Sequence, residues 1–507
     1  MRDGGIRLRT TKTASGATAV QAVRYVQRKV VVVKHFGSAH TPHELQILIR
    51  DGDAWIAKQR TQPPLPLLSE PSLSSSVVDL DRLTFSDTRH LFAYEVLMHA
   101  VKSLRFAHLL DPVLADLVVM RLLEPSSKLR AIALMRRHFG IVHGRRTVYE
   151  KLGRFATHKD VLERQLVACA VQGDALALSI VFYDVTTLYF ESFHEDEEET
   201  GLRKTGFSKD NKPQQPQVVI GLLVTAQGFP LGYDIFKGST FEGHTMLPVI
   251  EKFQETHHVE TCTVVADAGM LSFENIEMLR KKKLSYIVGA RVANLSPGLI
   301  EQVSTTLNRS DGATVRMETK HGDLLCSFSK ERFRKDKHDM EKQIARAKKL
   351  VTSREPGRRA KFVQTKGTSY MLHAKLITKT EKLLGIKGYV TNIPQAVMND
   401  REVITHYRNL WHVEQTFRMA KSDLEMRPIF HRTDDAIRAH VLLCVVALAV
   451  QKHCEKMTGW TLRSMRDVIM SVTDITLTDT VTGRTFTKRS ALPAEAESLM
   501  AKLGMPY

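Results

Sequence analysis

The chain has 507 residues, 43% of them hydrophobic, and a formal charge of +18 from 73 Lys and Arg against 55 Asp and Glu. That length is too great for one ordinary core and divides into roughly three or four globular units. The positive balance points to a polyanionic partner, most simply nucleic acid, though a ribosomal or membrane surface fits too, while five cysteines without a C-x-x-C pair argue against zinc and suit a reducing cytoplasm.

Residues 1–60 read as a small α+β region: a basic, Thr-rich start, a strand over Val30 to Val33, and a helix from His43 to about Lys58. Pro and Ser between Thr61 and Ser76 break every period, so a linker is placed over 61–88. A helical region follows over 89–176, with Leu91, Tyr94, Leu97 and Val101 at helical steps and a new start near Glu124-Pro125-Ser126-Ser127-Lys128. Such a unit docks on DNA or serves as scaffolding.

From 177 to 291 the pattern is strand, hairpin, helix, strand, helix, strand, an α/β layer. The β-rich run Leu178 to Tyr183 leads into Asp184, and Thr263-Val264-Val265-Ala266 leads into Asp267. Residues 292–388 lose that rhythm, and Lys330 to Phe362 carries 13 Lys or Arg against five acids. Such a run is either a solvated face or a clamp on duplex phosphates. A return strand over Tyr389 to Ile393 opens a segment, 389–457, that ends in a core helix from His440 to Met457. Its ten-residue apolar run, Val441 to Val450, is too short for a membrane span. The tail, 458–507, holds a hairpin around Thr482-Gly483. With no signal-peptide h-region, the protein is expected to be soluble and cytoplasmic.

Within 389–457 lies an amphipathic helix that begins near Glu402. Val403, Tyr407, Leu410 and Phe417 mark its inner face, and Tyr407, Glu414 and Lys421 stack along one edge at seven-residue steps. A carboxylate on that seam needs a cation, either a Lys or Arg in the core or a metal. An Asp after a strand is ordinarily a turn residue. If the sheet gathers Asp184, Asp267 and Glu414 within a few Å, their repulsion calls for divalent cations, and carboxylates exposed to water suit Mg²⁺ or Mn²⁺. Two such ions would activate a water or 3′-hydroxyl against a phosphodiester and stabilise the leaving oxygen.

Several blocks carry a resemblance: YDVTTLYFE (183–191), GFSKDNKP (206–213), GFPLGY (228–233), VADAGM (265–270), WHVEQTFRMAKS (411–422) and RPIFH (427–431). In order and spacing the chain resembles bacterial insertion-sequence transposases of the DDE class, in the group with a Tyr-x2-Arg-x3-Glu-x6-Lys signature. The likeness spans roughly residues 120 to 450. It implies an RNase H-like mixed-sheet core interrupted by a mainly β insertion, with Asp184, Asp267 and Glu414 as catalytic ligands of two Mg²⁺ or Mn²⁺ ions. It also implies binding of the terminal inverted repeats, hydrolysis at the element ends, and attack of the freed 3′-hydroxyls on target DNA. A homodimer on paired ends and a nucleoid-associated location are expected. By analogy Tyr407 and Lys421 hold phosphates of the element end. The signature Arg is Leu410 here; Arg408 points about 160° from it on a regular helix, which leaves Arg418 the better substitute. An inactive, transposase-derived DNA-binding protein is the alternative. A haloacid dehalogenase-like phosphatase is disfavoured, because Asp184-Val185-Thr186 lacks that family's second Asp.

Overall fold

A computed structural model describes residues 6–26, 29–59, 82–270, 272–353, 360–366 and 369–506. They divide into two compact units. One comprises the described residues up to Glu95 with Arg137–Gly140 and Asp467–Ser498. In it, strands Arg7–Lys12, Thr18–Val26 and Lys29–Ala39 form an antiparallel meander, and helix Pro42–Gln59 buries Leu48 against Val20 and Ala39.

A second small sheet in this unit corrects two boundaries. Leu83–Arg89 is a strand, although it lies in the expected linker, and it pairs with Asp474–Asp479, which in turn pairs with Thr485–Arg489. Residues 61–81 of that linker lie outside the described residues. Residues expected to be a C-terminal tail thus supply the central strand of a sheet with the stretch before the helices. Partners nearly 400 residues apart leave no local signature.

The other unit contains the α/β layer. We label its strands β1 (Ile180–Tyr189), β2 (Gln217–Val224), β3 (Pro230–Lys237), β4 (Thr263–Ala266), β5 (Ser285–Ala290), β6 (Thr314–Thr319), β7 (Gly322–Phe328) and β8 (Ile386–Thr391). They form one mixed sheet in the order β6-β7-β8-β5-β4-β1-β2-β3. β1, β4 and β5 run parallel, β2 runs against both neighbours, and β8 returns antiparallel beside β5. The 3-2-1-4-5 order with strand 2 reversed is consistent with the RNase H-like core that the resemblance implies.

Side chains alternate along each strand, so the sheet has two distinct faces. Val181, Tyr183, Val185, Val264, Ala266, Tyr286, Val288 and Val390 share one apolar cluster with Val249, Phe253, Ile276 and Leu279 of helices Met246–His257 and Phe273–Lys281. The intervening residues, including Asp184, Asp267, Gly289 and Tyr389, belong to the opposite face. Helices α2 (Asp400–Arg408) and α3 (Trp411–Ser422) pack there, α2 on β4 and β5 and α3 on β1 and β2.

The segment expected to be a mainly β insertion is not mainly β. Its longest element is a 24-residue helix, α1 (Lys330–Ser353), and two of its strands, β6 and β7, extend the main sheet. Met340 and Ala347 are buried on the inner side of α1, with Phe333 and Ile344 packed beside them against Phe362 and Leu384. That spacing is helical, and the density of charge between the apolar residues hides it. Helix α4 (Asp434–Thr458) is long and apolar, but from Ile437 to Cys454 nearly all its side chains are buried by protein, as expected of a core helix.

Candidate active site

β1 forms from a β-branched and aromatic run, and it does not stop at Asp184. Val185 to Tyr189 continue it, with Asp184 paired opposite Leu222 of β2. The carboxylate therefore projects from mid-strand, which the turn-residue reading of Asp184 did not anticipate. On the other side β1 pairs in parallel with β4 from Ile180↔Thr263 to Tyr183↔Ala266, where β4 ends. One residue further along the two chains stand Asp184, still within β1, and Asp267, just past the end of β4. Gly289 continues the row, since Val288 pairs with Ala266, and Tyr389 lies opposite Gly289 on β8.

Glu414 reaches this row from α3, by a route that differs from the continuous helix expected. The helix is broken: α2 ends at Arg408, α3 begins at Trp411, and tight i→i+3 bonds join them, from His412 N to Asn409 O (2.9 Å) and Val413 N to Leu410 O (3.1 Å). Val403, Tyr407, Leu410 and Phe417 are buried as expected. Glu414 is exposed rather than buried, and among the described residues no Lys or Arg ion pair holds it. The core ion pair that would have explained it structurally is absent there.

Electrostatics join the three acids. Burial lifts the Asp184 carboxyl to about 6; Lys209 pulls it down, while Glu414 and Asp267 push it further up. Lys209 donates to the Val185 carbonyl at 2.6 Å and pairs with Glu242 at 3.0 Å. The acids are not gathered within a few Å: among the described residues no group of three or more His, Cys, Asp or Glu is placed to hold a metal ion. The donors do fit a hard divalent cation in kind. They are carboxylates from three elements, Asp267 and Glu414 are open to water, and Asp184 is partly buried beside like charge.

Tyr407 has a defined task. Its hydroxyl donates to Asp267 Oδ1 at 2.9 Å, and its ring meets Tyr389 edge-on at 5.0 Å. Burial, then the Asp267 carboxylate, pushes the phenol well above the usual tyrosine range. Gly289 makes this possible, because a Cβ there would stand 2.3 Å from the hydroxyl. The group expected by analogy to hold a phosphate is thus spent on orienting Asp267.

Lys421 is also engaged. Its ammonium lies 3.4 Å from both carboxylate oxygens of Asp210, and Arg427 pairs with the same acid. Burial lowers the lysine and Asp210 raises it back. Arg418 and Arg408 are exposed, and Arg408 lies close enough to Lys387 and Tyr389 to act on both electrostatically. Arg408 is exposed while Leu410 is buried, as the near-helical rotation between them requires.

Three participants went unnamed from sequence: Lys209, Asp210 and Lys387. The first two sit in the GFSKDNKP block, whose order within the resemblance was their only signal. Lys387 lay just ahead of the strand expected at Tyr389, which in fact starts at Ile386.

Two aspartates from neighbouring strands, a helix-borne glutamate that acts on Asp184 electrostatically, and Lys209 beside them make this an acid-centred site. Residues 176–450, more than half of the chain, match the family described as transposase DDE domain, and the chain belongs to that family. Membership implies an enzyme that cuts DNA and transfers strands. Among solved structures the chain is similar to a piggyBac transposase synaptic complex with hairpin DNA, at 10% identity and a TM-score of 0.34, covering 82% of this chain and 70% of that one. No curated protein matches the sequence.

Proposed function

We propose that the chain is the transposase of an insertion sequence. It binds the element's terminal inverted repeats, hydrolyses a strand at each end, and joins the freed 3′-hydroxyls to target DNA. The observation that carries this is the electrostatic coupling of Asp184 on β1 to Asp267, just past β4, and to Glu414 on α3. The three form an arrangement of acids that, among the described residues, has no structural ion pair to serve and that stands open to a polyanion.

Asp184, Asp267 and Glu414 would hold Mg²⁺ or Mn²⁺, which when bound supplies charge neutralisation and activates a water or 3′-hydroxyl against the phosphodiester. The chain's own residues do the positioning. Tyr407 fixes the Asp267 carboxylate, Lys209 offsets the charge at Asp184, and Lys421 and Arg427 form a cationic arm that Asp210 neutralises until a phosphate displaces it. The exposed bases of α1 would clamp the duplex further out. Joining two ends at once calls for a dimer on paired ends, and a nucleoid-associated location follows from that substrate.

Incubation of the purified protein with labelled element ends and Mg²⁺ or Mn²⁺ tests the reading. Nicking at the element tip, followed by joined products when target DNA is added, is expected. Binding without nicking would mean an inactive relic, and hydrolysis of p-nitrophenyl phosphate without action on DNA would mean a phosphatase.

A further inference from the structure

Beside Asp267 a cleft of about 630 Å³ opens between the sheet and α1. Arg291, Arg332, Lys361 and Lys387 line it, together with Asp267 and Tyr407. Its volume suits a nucleotide-sized guest.

Lys387 is the unusual member. It is half-buried on β8, and among the described residues no ion pair includes it. Its ammonium lies 4.6 Å from the centre of the Tyr407 ring and 5.8 Å from that of Tyr389. Burial lowers its affinity for a proton, the like charges of Arg332 and Arg408 lower it further, and Asp267 and Glu414 partly restore it. Two aromatic faces steer a cation but do not neutralise it. A half-buried ammonium among other cations is costly until an anion arrives. None of the cleft's acids forms an ion pair with Lys387 among the described residues: Asp336 accepts from the Gly385 backbone at 3.2 Å and pairs with Arg332 at 3.4 Å, Asp267 accepts from Tyr407, and Asp339 is exposed on α1.

We propose that this cleft is a second phosphate site, which seats a DNA phosphodiester neighbouring the one attacked at the carboxylates, with Lys387 as its anchoring cation. Tyr407 then serves both sites, its hydroxyl holding Asp267 and its ring face aligning Lys387. The inference rests on the proposed function, since it names one more part of the same substrate.

The test is a methylphosphonate scan. Duplexes carry the terminal inverted repeat taken from DNA flanking a genomic copy of the gene, with one phosphate at a time made neutral across the cut. Binding, in Ca²⁺ to prevent cutting, is measured for wild type, Lys387→Gln and Lys387→Arg. One position should cost the wild type on the order of tenfold in affinity. Lys387→Gln should lose about the same factor on unmodified DNA and nothing more at that position, and its salt slope should fall by about one. Lys387→Arg should restore most of the affinity, which excludes a folding defect. Unchanged affinity and slope in Lys387→Gln, or penalties that multiply at every position, would overturn the proposal. Failure of the proposed function reads differently: the scan gives the expected pattern, but Mg²⁺ or Mn²⁺ produces no cut.

Discussion

Tyr407 and Asp267, 140 residues apart in the chain, are joined by a 2.9 Å hydrogen bond that exists because residue 289 between them has no side chain. A hydrogen bond to a charged group contributes ~1.5–3 kcal/mol. Tyr407→Phe should therefore slow end cleavage by about 10–100-fold while leaving end binding nearly intact. Gly289→Ala displaces the same hydroxyl and should give a similar loss, with the double variant little worse than either single one. A large fall in binding for Tyr407→Phe would instead place the phenol on the DNA.

Asp184 links the site to pH. Its folded-state pKa, about 6, stands above the unfolded value of about 4. The folded protein therefore holds more protons between those values, and stability falls as pH rises through that window. The cost above pH 6 is about 3 kcal/mol. In metal-free protein, Asp184→Asn should raise the melting temperature at pH 8 and leave it unchanged at pH 4, where the native carboxyl is already protonated. An equal shift at both pH values would show that burial and the neighbouring acids do not raise this carboxyl.

Asp210 keeps Lys421 and Arg427 together. Asp210→Asn should release two cations to solvent, strengthen binding to non-specific duplex at low salt, and steepen the salt dependence by the equivalent of one to two further phosphates. It should also lower stability by ~1–3 kcal/mol through the lost charged hydrogen bonds. Weaker DNA binding at every salt concentration would mean that Asp210 orients the arm and does not compete with phosphate for it.

The charged face of α1 gives a separate handle. Lys335, Lys342, Arg346 and Lys349 are exposed, away from the buried Met340 and Ala347. Changing these four to Gln should weaken DNA binding uniformly across sequences and flatten its salt slope, by ~0.9 for each phosphate that is no longer neutralised. An unchanged slope would make the face merely solvated.

The three acids were legible because each follows or interrupts a strong local pattern: Asp184 and Asp267 after β-branched runs, and Glu414 within an apolar helical period. Where those patterns misled, the reason is physical. Val185 to Tyr189 are as β-prone as the residues before Asp184, so nothing local ends the strand there. The break at Asn409 has no Pro or Gly to announce it, and beyond it Glu414 is exposed where the seam predicts burial. The helical period of α1 was present in Phe333, Met340, Ile344 and Ala347 but was obscured by the charge around it. The pairings of Asp210 with Lys421 and of Lys387 with Tyr407 depend on the assembled sheet, and no spacing in the chain encodes them.

The most direct test of the shared acid site is cleavage of labelled element ends by the wild type and by Asp184→Ala, Asp267→Ala and Glu414→Ala in Mg²⁺ or Mn²⁺, with end binding measured in parallel. Each variant should bind the ends nearly as well as the wild type and cut none. Substantial cutting by any one of them would remove that residue from the site and break the triad.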